Sequence, residues 1–130
     1  MANDPRKRVL VIDDASLVRL YYRSALENAG FFVGEALNGI EALEHLLTAP
    51  YDLLVVDVNM PQMDGVTFLK TLRGKNLPMA SIPALVASSE ADPIRIVAAR
   101  EAGANFYIVK PMSQEMLVQY ALLLCGAPHG

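Results

Sequence analysis

Four nearly continuous apolar runs punctuate the chain, and each stops at a group that can bind, attack or donate. Val9-Leu10-Val11-Ile12 runs into Asp13-Asp14, and Leu53-Leu54-Val55-Val56 into Asp57. Pro83-Ala84-Leu85-Val86-Ala87 runs into Ser88, and Phe106-Tyr107-Ile108-Val109 into Lys110-Pro111. Runs this apolar suit interior strands of a parallel sheet, buried on both faces. As parallel neighbours their C-terminal ends share one edge, where three carboxylates, a hydroxyl and an ammonium converge.

Helical patterns separate the runs. Leu17, Leu20 and Tyr21 fall on one face at spacings of three and four, with Gly30 as the stop. Phe31 to Ala36 reads as a second strand whose Gly34 and Glu35 suit an edge. Asn38 and Glu41 form a capping pair ahead of Ala42, Leu43, Leu46 and Leu47, ending at Pro50. The third strand spans Tyr51 to Asp57. Asp64 caps a helix carrying Val66, Leu69 and Leu72, and Gly74 to Ser81 is a surface connection. Asp92-Pro93 opens the next helix, with Ile94, Val97 and Ala98 on its inner face and Gly103 at its end. Asn105 to Val109 is the last strand. Ser113 opens the last helix, carrying Met116, Leu117, Tyr120, Leu123 and Leu124.

The order βαβαβαβαβα specifies a parallel sheet with helices on both faces. Strands one, three, four and five read as interior. The order 2-1-3-4-5 puts the topological switch point between strands one and three, where such sheets bind their ligands. Asp13, Asp14 and Asp57 stand there.

The 130 residues fit one domain, 1–130, with its core at about 7–125 and no output domain after it. Apolar residues make up 53% and charged residues 19%, the balance of a compact globular protein. A net charge of -3 gives no electrostatic reason to bind nucleic acid, and Arg6-Lys7-Arg8 reads as the solvated start of a strand. Cys125 is alone, which excludes an intrachain disulfide and points to a reducing compartment. His45 and His129 offer it no catalytic partnership. No stretch approaches the roughly 18 apolar residues of a membrane span, so the expectation is a cytoplasmic protein with no membrane partner.

Three carboxylates within a few ångströms need a counter-charge, because like charges at about 4 Å cost on the order of several kcal/mol at a partly shielded site. An all-oxygen site without His or Cys selects a hard cation, Mg²⁺ first and Mn²⁺ next. A carboxylate beside that cation is able to attack phosphorus and form an acyl phosphate. Asp57, single on the central strand, is the natural nucleophile. Lys110 supplies a point charge to the transferred group, and Ser88 a hydroxyl.

These segments resemble the receiver domain of two-component response regulators, of the CheY-like single-domain type. The acidic pair in VLVIDDAS, the segment VVDVNMPQMDG, the hydroxyl in ALVASSEA and the FYIVKP segment occur in the family's order and spacing. The resemblance implies a flavodoxin-like (βα)5 fold and phosphorylation of Asp57 by a sensor histidine kinase or a histidine phosphotransfer protein. It implies a divalent metal held by Asp14 directly, by Asp13 largely through water, by Asp57, and by the backbone carbonyl of Asn59. Lys110 would pair with the phosphoryl oxygens, across a cis peptide to Pro111. Ser88 would be the switch hydroxyl and Tyr107 the switch aromatic, with Met60-Pro61 and Asp64-Gly65 shaping the loop beside Asp57. Met112 departs from the Phe often found there, and Ser88 and Ser89 are adjacent, so alignment alone chooses between them.

The implied function is a stand-alone phosphorylated switch with no separate substrate, catalysing only its own phosphorylation and dephosphorylation. The fourth helix, fifth strand and fifth helix would carry its output. From Glu115 to Cys125 there is one formal charge, which suggests a protein target or a second copy of the chain on that face. Two other classes remain. A haloacid-dehalogenase-type phosphatase also uses an Asp nucleophile and Mg²⁺, but needs an acid where Asn59 stands. A flavodoxin-like cofactor binder shares the topology, but Asp13-Asp14 replaces its phosphate-cradling loop.

Overall fold

A computed structural model describes residues 4–60 and 62–128. Five parallel strands form one sheet: β1 Arg8–Ile12, β2 Phe32–Ala36, β3 Leu53–Asp57, β4 Ala84–Ser88 and β5 Phe106–Val109, in the order β2-β1-β3-β4-β5. The connecting helices are α1 Ser16–Asn28, α2 Gly39–Thr48, α3 Gly65–Arg73, α4 Pro93–Ala102 and α5 Gln114–Cys125, with a short 3₁₀ turn at Met79–Ser81. This is the parallel order anticipated from the alternation of runs, and the flavodoxin-like (βα)5 fold that the resemblance implies.

Strand side chains alternate between faces and divide the core in two. Leu10, Ile12, Leu54, Val56, Ala84 and Val86 pack against Ala42 and Leu46 of α2, Phe68, Leu69 and Leu72 of α3, and Ala99 and Ala102 of α4. Val9, Val11, Leu53, Val55, Leu85 and Ala87 pack against Tyr22, Ala25 and Leu26 of α1 and Leu117 and Ala121 of α5.

Four helices begin at the anticipated caps. Asn38 Oδ1 accepts from Glu41 N at 2.9 Å, Asp64 Oδ1 from Thr67 N at 2.8 Å, Asp92 Oδ1 from Ile94 N at 2.9 Å, and Ser113 Oγ from Met116 N at 3.1 Å. Gly103 ends α4 at φ 113°, a left-handed conformation that costs glycine least. The basic run is used locally: the Arg8 guanidinium lies over the rings of Phe32 and Tyr51 and donates to Pro50 O at 2.8 Å.

Several expectations about helix faces and sheet edges are corrected. In α1, Leu17, Leu20 and Tyr21 point outward, Leu17 being 78% exposed, while Tyr22, Ala25 and Leu26 face the sheet. In α4, Ile94 and Val97 are exposed, Ala98 is half-buried, and the small Ala99 and Ala102 face inward. Both helices carry two overlapping sets at spacings of three and four, and the set of larger residues is not the buried one. Leu47, Met116 and Leu123 are likewise exposed. Strand β5 is apolar yet lies at the sheet edge, leaving Phe106 and Val109 partly exposed, so only β1, β3 and β4 are interior.

Candidate functional site

Register and parity assemble the site. Ile12 pairs with Val56, so the next residue of each strand, Asp13 and Asp57, stands side by side. Both continue the face of Val11 and Val55, towards α1 and α5, and Lys110 continues the same parity from Ile108. Asp57 is level with Ala87, whose small side chain leaves room on that face. Lys110 Nζ reaches into the gap, 3.1 Å from Asp13 Oδ2 and 3.4 Å from Asp57 Oδ1. The Lys110–Pro111 peptide is cis, as is Leu77–Pro78, which the sequence did not signal.

Asp13 and Asp57 are buried, whereas Asp14 is exposed. Oxygens of all three carboxylates lie within 4.8 Å of one another. Lys110 is the only cation bonded to the group among the described residues, so the site is two charges short of neutral. Burial, then the neighbouring Asp13 charge, holds the Asp57 carboxyl above its ordinary range, with Lys110 and the Asn59 backbone N–H opposing. Burial pulls the Lys110 ammonium down, but Asp13 and Asp57 outweigh it and the net shift is upward. A carboxylate whose burial and neighbour both disfavour its charge, with one ligand-type oxygen open to solvent on Asp14, suits a hard divalent cation. Asp13, Asp14 and Asp57 have the donor chemistry to hold it.

Ser88 and Tyr107 have the opposite parity and lie on the α3–α4 face. Ser88 is fully buried while Ser89 is exposed, which separates the two adjacent serines. Ser88 Oγ accepts from Glu90 N at 3.1 Å, and Tyr107 Oη donates to Glu90 O at 2.7 Å. Both therefore hold the same loop residue, which the sequence had not marked. Asn59 is exposed, its side-chain amide 3.4 Å from Glu90 Oε1.

Two further residues escaped sequence reading. Tyr22 is buried against the site, and burial pushes its phenol up. Arg19 donates to the Asp13 carbonyl at 2.7 Å. A cleft of about 540 Å³ opens beside Lys110, lined by Leu17, Val18, Tyr21, Tyr22, Pro111 and Met112. Cys125 lies elsewhere, and burial pushes its thiol up to about 11, as suits a group without catalytic use. His129 and Pro61 fall outside the described residues.

Gly65 gives the loop beside Asp57 its closeness. A Cβ there would meet the Asp57 carbonyl oxygen at 2.5 Å and Val58 Cα at 3.0 Å, both backbone. Gly65→Ala is therefore expected to destabilise the protein by about 1–3 kcal/mol, measured by denaturant unfolding, because the third strand must shift. Unchanged stability would show that the loop yields freely.

The comparisons with known proteins agree with this geometry. The chain is 35% identical over 111 residues to the chemotaxis protein CheY of Pseudomonas aeruginosa, covering 85% of this chain and 89% of that protein. It is 36% identical over 114 residues to the chemotaxis protein CheY of Thermotoga maritima, covering 87% and 92%. The crystal structure of Vibrio cholerae chemotaxis protein CheY4 superposes with a TM-score of 0.85 at 31% identity, over 92% of this chain and 98% of that one. The sequence pattern of the response regulator receiver domain matches residues 9–122. An acidic trio bridged by one lysine at the ends of β1, β3 and β5, on this fold and with these relatives, makes the chain a member of the response regulator receiver domain family, of CheY type.

Proposed function

We propose that this protein is a phosphorylation-driven signalling switch whose phosphoacceptor is Asp57. The observation that carries the reading is the Asp13–Lys110–Asp57 bridge, its two carboxylates buried and the exposed Asp14 beside them. The donor is a phosphohistidine on a sensor kinase or a phosphotransfer protein. An Asp57 oxygen attacks phosphorus and the P–N bond breaks with its electron pair going to the ring nitrogen; because the other ring nitrogen of the donor phosphohistidine carries a proton, the imidazole leaves as the neutral ring. Lys110, already 3.4 Å from Asp57, pairs with the charge on the transferred group. Asp14, Asp57 and the Asn59 carbonyl would hold Mg²⁺ or Mn²⁺, with Asp13 acting through water, consistent with the commitment of both Asp13 oxygens to Ala15 N and Lys110. The bound cation supplies charge neutralisation at the phosphoryl oxygens. The protein turns over no separate substrate; its own acyl phosphate is the product, later hydrolysed in place.

Readout follows from Glu90. When the phosphoryl group draws the Ser88 hydroxyl towards it, the Glu90 N–H loses its acceptor, and Tyr107 is tied to the carbonyl of the same residue. A local charge event thus reaches α4, β5 and α5 through one loop. The exposed Ile94, Val97, Phe106, Val109, Leu122 and Leu123 make that face suited to a downstream protein. A shift from monomer to dimer with a phosphoryl analogue would instead identify a second copy as the occupant. Asn59, in place of the second acid that a phosphatase of the dehalogenase type needs, favours the switch. Among the described residues no helix is long and apolar enough to cross a membrane.

The test is incubation with Mg²⁺ and a small phosphodonor: wild type should gain an acid-stable, base-labile phosphoryl label, and its absence would overturn the reading. Metal linkage gives a second check. Mg²⁺ at ten times its Kd should stabilise the fold by ~1.4 kcal/mol, raising Tm by about 5 °C for a domain of this size. Chelation with EDTA should reverse the gain, and a Tm indifferent to Mg²⁺ would count against a metal site here.

A further inference from the structure

We infer that Arg19, braced by Glu35 on the edge strand, is the positioning residue that sets the Asp13–Asp14 peptide and so presents Asp14 to the divalent cation. The inference rests on the proposed function, which supplies the cation.

Asp13 is held at every polar atom. Its N–H donates to Ala36 O at 3.1 Å, Oδ1 accepts from Ala15 N at 2.9 Å, and Oδ2 accepts from Lys110. Its carbonyl accepts from Arg19 Nη1 at 2.7 Å. That carbonyl belongs to the peptide joining Asp13 to Asp14, so its orientation fixes where the Asp14 side chain starts. No side-chain hydrogen bond involves Asp14 among the described residues, and the residue is exposed; only its backbone places it. α1 has no side-chain cap of its own, so the turn is held from one side by the Asp13 Oδ1–Ala15 N bond and from the other by Arg19 at the Asp13 carbonyl.

Arg19 is itself built in. Its side chain is 12% exposed, and Nε donates to Glu35 Oε1 at 2.9 Å while Nη1 serves the carbonyl. Arg23, one turn along α1, takes Glu35 Oε2 at 2.7 Å. A guanidinium presents several donors in a rigid plane, so one side chain satisfies both partners at once. Glu35 thereby gains a use on a strand whose charge first reads only as an edge signal.

The sign of the effect separates positioning from electrostatics. A positive charge near a cation site opposes binding, so on charge alone its removal tightens Mg²⁺. Positioning predicts the reverse: Arg19→Met should raise the Mg²⁺ Kd about 10-fold or more, the size of effect seen when groups orienting metal ligands are lost. Arg19→Lys, whose one ammonium serves the carbonyl or Glu35 but not both, should fall between and carries the test if Arg19→Met does not fold. The pair Arg19→Met with Glu35→Gln removes both charges and should stay weak.

The measurement is calorimetric titration with Mg²⁺ alone on wild type and the three variants, alongside amide hydrogen exchange of the metal-free proteins. Exchange at Ala15, whose N–H is held by Asp13 Oδ1, should quicken in Arg19→Met while the core strands keep their protection. Affinity equal to or tighter than wild type in Arg19→Met, or restored in the double variant, would overturn the inference and leave the switch reading intact. A wild type that takes up no Mg²⁺ would overturn both.

Discussion

Asp57→Asn is expected to abolish phosphoryl uptake while making the metal-free protein more stable at neutral pH. The amide keeps the shape of the carboxylate but has no anionic oxygen to attack phosphorus, so no base-labile acyl phosphate forms on incubation with Mg²⁺ and a small phosphodonor. The stability gain comes from the same electrostatics. Burial and Asp13 hold the folded-state Asp57 carboxyl above its value in the unfolded chain. A raised carboxyl contributes stability while protonated, below the unfolded value of 3.8, and loses it as pH rises through the folded value. At pH 7, well above the unfolded value, the wild type therefore bears the cost of disfavouring that charge, and the neutral amide does not. Thermal unfolding should show Asp57→Asn above wild type at pH 7 and level with it near pH 3. A label surviving on the variant would assign the acceptor elsewhere, and a lower Tm at pH 7 would mean that the Lys110 contact outweighs burial.

The strand ends that create this tension were readable because two simple periods produce them. Alternation of side chains along a strand, together with unbroken apolar runs, marks where each buried segment stops, and parallel register then sets Asp13 beside Asp57. Helix phase was not readable in the same way. In α1 the residues at positions 17, 20 and 21 satisfy helical spacing as well as those at 18, 22, 25 and 26, and only the sheet decides which set it covers. Of the outward residues, Leu17 and Tyr21 line the cleft beside Lys110. Arg19 and Glu90 were invisible for another reason. Their partners, Glu35 and Tyr107, come from strands 16 and 17 residues away in the chain, so no local pattern links them. The buried Ser88 was legible as a type of residue at a strand end, but its separation from Ser89 needed the burial that only packing supplies.

Lys110→Met is the second large effect, and it reverses the sign of the first. Among the described residues Lys110 is the one ammonium between two buried carboxylates. A methionine of similar shape leaves Asp13 and Asp57 facing each other without it. Removing one partner of a buried ion pair costs about 3–5 kcal/mol, and the lower end applies here because Asp57, already pushed towards its neutral form, is able to take up a proton. The metal-free variant should lose about 3 kcal/mol at pH 7, regain part of it at acid pH as the raised Asp57 carboxyl takes up its proton, and respond more strongly to Mg²⁺ than wild type does. At alkaline pH the gap closes. The raised Lys110 ammonium contributes stability that is complete below its ordinary value of 10.5 and is lost as pH rises through its higher folded value, a loss the variant does not share. Phosphoryl uptake should also slow by about 10²–10³-fold, the usual loss of one preorganised charge partner. A variant as stable as wild type at pH 7 without metal would mean that the carboxylates are neutralised by proton uptake alone. Lys110 would then serve only the phosphorylated state, and the same variant would still show slowed uptake.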